Sequence, residues 1–269
     1  MKCVEYGSAQ GSPVIYFHGA PGAMEEAAVF DQAAKQHNLR IISFDRFSLD
    51  QTLDRNAYYQ AIADHIKRTI GTQPVDIIGF SIGAFVAFEV SARLKAQVRQ
   101  THLISAAAPI HAGDFIDKMA GGFVFKLAMK KPFLFTLLTH YQRLMAILAP
   151  KALTAMLFAS AAGKDQTLIK QPDFKRYITP LLKQCFQRRA NGYIRDIKHY
   201  VAWTGDLSST TGKVCLWHGT LDNWSPFAMA TYLDKEAPGE ARLEAMEGLS
   251  HYSCLFEAAP RIGERLARD

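Results

Sequence analysis

The stretch Val75-Asp76-Ile77-Ile78-Gly79-Phe80 constrains the fold more than any other part of this chain. It is apolar on both faces and too short for a buried helix, so it reads as a strand covered on both sides. That is the position of an inner strand in a parallel sheet wrapped by helices. Similar short runs recur at Val14 to Phe17, Arg40 to Phe44, Thr101 to Ala106, Val214 to His218 and Ala241 to Met246. Between them lie helical patterns. Glu25 to His37 is one, and Tyr58, Ile62, Ile66 and Ile70 place an apolar residue at every fourth position of another. Further helices are expected over Gly83 to Lys95, Pro226 to Lys235 and Leu255 to Arg268. Strand and helix alternate, which predicts an α/β chain with a doubly wound, mostly parallel sheet and crossover helices.

The alternation stops near Pro109 and resumes near Lys213. From Ile110 to about Asp206 no strand pattern is visible, only helical stretches at Lys126 to Leu138, Tyr141 to Leu148, Leu153 to Ala162 and Ile178 to Arg189. The expected organisation is therefore a core domain of residues 1–109 and 207–269 carrying a helical subdomain of residues 110–206. Charge separates the same two parts. Residues 110–199 hold 15 Lys and Arg against 5 Asp and no Glu, whereas the whole chain is only +6. An anionic partner would meet the inserted helices.

Several classes are excluded. The most apolar window, Phe123 to Leu138, is interrupted by Lys126, Lys130, Lys131 and Pro132, which does not suit a membrane span of roughly 20 residues. Met1 to Gly7 lacks the basic and apolar regions of a secretory signal, so a cytoplasmic location is expected. Cys3, Cys185, Cys215 and Cys254 have no spacing for a zinc knuckle or a disulfide framework and read as reduced thiols. No internal repeat or nucleic-acid reading motif accompanies the basic residues.

Gly79-Phe80-Ser81-Ile82-Gly83 follows the central strand and opens a helix, the context of a nucleophile elbow. A serine on so tight a turn needs small neighbours on either side. Helix capping by Ser81 is the plain alternative. Serine is a poor nucleophile at neutral pH, so it needs a base, and the base needs an orienting acid. Asp222 follows the penultimate strand in His218-Gly219-Thr220-Leu221-Asp222, and His251 follows the last in Gly248-Leu249-Ser250-His251. Both stand at C-terminal strand ends, where functional loops of such sheets gather. The earlier turn His18-Gly19-Ala20-Pro21-Gly22 offers the Ala20 N–H beside that of Ile82 as an oxyanion hole. His18 and His218 read as packing residues.

These four motifs resemble the α/β-hydrolase superfamily, in the branch with a helical cap inserted after the family's sixth strand. The resemblance spans nearly the whole chain. It implies a serine hydrolase with a Ser81, Asp222, His251 triad, Ala20 and Ile82 at the oxyanion, no metal, no cofactor, and substrate bound between cap and sheet. Three departures stand out. Asp45-Arg46 is followed by Phe47-Ser48-Leu49-Asp50-Gln51, which lacks the glycine common in relatives. Only Lys2 to Tyr6 is available for the strands usually found before the His-Gly turn, so one sheet edge should be short. The basic cap does not suit a proline iminopeptidase. The expected substrate is a small ester or thioester with an apolar acyl part, and an anionic one, such as a coenzyme A thioester, would suit the basic helices. Amide, lactone or carbon–carbon cleavage on the same triad remains open, as does a binding or membrane-surface protein without turnover.

Overall fold

The computed structural model describes residues 1–205, 207, 210, 212–237 and 241–268. The central strand expected from the sequence is β4, Val75–Phe80, buried at every position. Around it the sheet runs β1 (Cys3–Gly7), β3 (Leu39–Phe44), β2 (Ser12–Phe17), β4, β5 (Val98–Ile104), β6 (Lys213–Gly219) and β7 (Arg242–Met246). Only β1 is antiparallel, pairing Cys3 with Phe44 and Gly7 with Arg40. The remaining pairs are parallel, as expected for the inner strands β2 to β6, which are buried on both faces; the edge strand β7 is largely uncovered. β1 is the sole strand before the His-Gly turn other than β2 itself, which is the shortened edge foreseen from the sequence.

Helices cover the sheet: α1 (Asp31–Gln36), α2 (Arg55–Ile70), α3 (Gly83–Leu94) and, later in the chain, two more. Between β5 and β6 the described residues form no strand but the helices α4 (Gly122–Lys130), α5 (Pro132–Leu148), α6 (Pro150–Leu157), α7 (Asp165–Leu168) and α8 (Pro172–Val201), and α9 (Phe227–Glu236) and α10 (His251–Arg268) follow. Boundaries differ from expectation where proline or local capping decides. Lys126 to Leu138 is two helices, because Pro132 has no N–H to continue α4 and instead starts α5. Glu25 to His37 begins as a 3-10 segment, Met24–Phe30, before α1. α10 starts at His251 rather than Leu255. The domain boundary expected at Asp206 lies outside the described residues. Among the described residues no helix is long and apolar enough to cross a membrane.

Candidate active site

Ser81 sits where β4 turns into α3, with φ of 55°, in the left-handed region that residues with a side chain rarely adopt. Such a conformation costs on the order of 1–3 kcal/mol and persists only where the surroundings impose it. Here they do. The Ser81 N–H donates to Ile104 O at 2.9 Å, and its carbonyl accepts from Ala84 and Ala107. A Cβ at Gly83 would stand 2.1 Å from Phe17 O, and one at Gly79 2.8 Å from Ala84 Cα, so both elbow glycines are required for strand and helix to approach.

The two C-terminal loops are tied together before they present their side chains. Leu221 N–H donates to Leu249 O at 2.9 Å, and Gly248 N–H to Thr220 Oγ1 at 3.0 Å. On this base His251 Nδ1 and Asp222 Oδ2 are 2.8 Å apart, both buried. Asp222 Oδ1 accepts the N–H groups of Trp224 and Ser225. Burial alone would raise the Asp222 carboxyl. The charge and hydrogen bond of His251, with help from His218, outweigh it and hold the acid below its ordinary range. His218 Nε2 meets Ser225 O at 2.7 Å and lies 3.7 Å from Asp222, supporting the acid loop. Trp224 stacks on the His251 ring, centroids 5.3 Å apart and planes 18° from parallel.

Of the five residues singled out from the sequence, Asp222 and His251 are joined directly. Ser81, Ala20 and Ile82 line one cavity of about 170 Å³, partly open to solvent, whose wall also includes Val124, Phe125, Leu157, Phe186 and Tyr193. Among the described residues no hydrogen bond joins Ser81 Oγ to His251, and neither the Ala20 nor the Ile82 N–H has a protein acceptor. Unengaged donors are what an oxyanion would require. Among the polar side chains of the mostly apolar wall, which include Ser160, Tyr193 and Ser225, Gln142 is 4% exposed and its Oε1 lacks a partner. No group of three or more His, Cys, Asp or Glu that could hold a metal occurs among the described residues.

Sequence reasoning missed the layer that holds these groups. Glu26 is fully buried behind the His-Gly turn, accepting from Gly19 N–H at 2.8 Å and Tyr16 OH at 3.0 Å. Burial pushes its carboxyl up to about 7 despite those bonds and the nearby Arg46 charge. Burial, and then Arg46, hold His18 well below the usual imidazole range, so it packs as a neutral ring, Nδ1 2.7 Å from Gly19 O. Arg46 itself donates to His18 O and pairs with Asp196 at 2.8 Å, both side chains almost inaccessible. Asp165 accepts the N–H groups of Tyr252 and Ser253, the two residues after His251, and so caps the first turn of α10. The only local hint was Asp45-Arg46, whose partner is 150 positions away.

Comparison with known proteins places this geometry in context. A family model described as the alpha/beta hydrolase family matches residues 14–262. No curated protein matches the chain in sequence. Among solved structures, it is similar to a bromoperoxidase from Bacillus anthracis (TM-score 0.70, 15% identity, 98% of this chain and 92% of that one). An esterase from Exiguobacterium antarcticum (0.65, 18%, 99% and 93%) and a thermophilic esterase from Thermogutta terrifontis (0.68, 13%, 99% and 91%) are similar as well. At these identities the likeness speaks for the fold.

Proposed function

The chain belongs to the alpha/beta hydrolase family, and from that premise we propose that it is a serine hydrolase cleaving a small carboxylic ester or thioester with an apolar acyl part. The observation that carries the reading is a strained Ser81 opening on an apolar cavity at the sheet edge where Asp222 and His251 are hydrogen-bonded. In this reading α4 to α8, within residues 110–206, act as a cap over the cavity.

Ser81 Oγ attacks the substrate carbonyl while His251 takes its proton, giving a tetrahedral oxyanion held by the Ala20 and Ile82 N–H groups. Collapse expels the alcohol or thiol, which leaves with the proton from His251, and an acyl-Ser81 ester remains. Water, deprotonated by His251, then releases the acid and restores the serine. Asp222 keeps the imidazole oriented and balances its positive charge between steps. The Ser81 to His251 hydrogen bond has to form during this cycle, and contacts of this kind often tighten only with substrate bound. The apolar lining of the cavity supports an apolar acyl part.

The test is turnover of matched ester, thioester, amide and lactone substrates of increasing acyl length. Hydrolysis of esters or thioesters by the wild type, with Ser81→Ala reduced by at least about a thousandfold, is the expected result. Full activity in Ser81→Ala, or turnover of amides alone, would overturn it.

A further inference from the structure

α5 is turned inside out. Its buried positions are Phe135, Thr139, Gln142 and Ala146, while large apolar side chains face outward. Phe133 is 77% exposed, Leu137 57% and Leu148 72%, with Tyr141 and Leu144 between them on the same stripe. Spacings of four, four, three and four residues put these five on one face of the helix. Phe123 on α4 and Met156 on α6 add to the exposed apolar surface. Single exposed apolar residues need no explanation, but a continuous stripe marks a surface that meets something.

Charge says what. From residue 118 to residue 164 the chain has seven Lys or Arg and no Asp or Glu. Lys126 pairs with Asp117, whereas Lys130, Lys131, Arg143 and Lys151 make no ion pair among the described residues. An apolar helix face rimmed only by cations matches the plane of an anionic phospholipid surface, where apolar side chains enter the acyl boundary and cations meet phosphates. A second copy of the chain fits poorly, since an isologous contact would bring the same unpaired cations together. We propose that α4 to α6 form a docking surface for anionic membranes, on which the protein lies without crossing. Met156 both faces solvent and lines the cavity, so the docked face adjoins the way in for an apolar substrate.

Vesicle flotation of the full chain tests this. Phosphatidylcholine vesicles containing a third phosphatidylglycerol should carry several-fold more protein than phosphatidylcholine alone, and high salt should reduce the difference. Phe133→Ser combined with Leu137→Ser and Leu148→Ser, all exposed, should lower partitioning at least about tenfold with unchanged circular dichroism. Lys130→Glu with Lys131→Glu should abolish the anionic preference and keep the apolar stripe. Equal binding to both vesicle types, or unchanged binding of both variants, would overturn the proposal. So would a wild-type dimer that the serine variant dissociates and that never floats. Ser81→Ala should float like wild type, so a protein that docks but turns over no ester counts against the hydrolase reading alone.

Discussion

Every residue of β4 is buried, whereas in α5 four residues of seventeen are, and two of those are a threonine and a glutamine. The sheet is held by continuous apolar packing that repeats from strand to strand. The helices between β5 and β6 share that apolar core, through contacts such as Phe85 with Tyr200 and Phe158 with Tyr252, but are also joined to it by polar ties at long range: Arg46 to Asp196, Arg189 to Asp45, Arg195 to the carbonyls of Arg46, Leu49 and Asp50, and Asp165 to the start of α10. One region specifies itself by pattern and the other by pairing at long range. The proposed site lies on the seam between them, its nucleophile, acid and base on the sheet side and much of its cavity wall on the helical side.

The largest expected effect is at the deepest tie. Asp196→Ala leaves Arg46, 1% exposed, without its counter-charge and removes the acceptor of Tyr58 OH, so unfolding in denaturant should show a loss of about 3–5 kcal/mol. A loss below about 1 kcal/mol would mean that α8 is not anchored there. The second concerns Glu26. The folded protein retains this proton up to about 7, while the unfolded chain gives it up near the ordinary value of 4.5. Between those values the folded state binds more protons, so the Glu26 contribution to stability falls as pH rises and is constant above the window. Stability of wild type minus that of Glu26→Gln should therefore decline across the window by on the order of 3 kcal/mol. A flat difference would place the carboxylate in a better-solvated site than its burial implies.

A smaller effect is expected at the α10 cap. Asp165→Ala removes two N–H acceptors and should cost roughly 1–2 kcal/mol. It should also reduce ester turnover by loosening the turn that begins with His251, with asparagine recovering part of both. The smallest is on the outward face of α5, where Leu144→Ser should change the melting temperature little, staying within about 0.5 kcal/mol, because the side chain is already exposed. A large loss there would show that the stripe is packed against something in the free protein.

What could be read from the sequence follows the same division. The inner strands were legible because burial on both faces leaves a continuous apolar run, and the elbow because Gly79 and Gly83 answer a local steric demand. Asp222 and His251 were legible from their places after β6 and β7. The helix break at Pro132 was visible in the residue itself but was obscured by the apolar run across it. Glu26 and Asp165 left no mark, and Asp45-Arg46 showed only half of the Arg46–Asp196 pair, because the burial of a charged residue depends on partners far away in sequence. The outward apolar stripe of α5 could not be told from a core stripe by periodicity alone, which gives a face but not its direction.

The activated serine is tested most directly by treating wild type, Ser81→Ala and His251→Ala with a fluorophosphonate probe and reading intact mass followed by peptide mapping. A single adduct on the peptide containing Ser81, absent from Ser81→Ala and formed much more slowly in His251→Ala, is the predicted result. An unlabelled wild type, or an adduct that survives in Ser81→Ala, would contradict it.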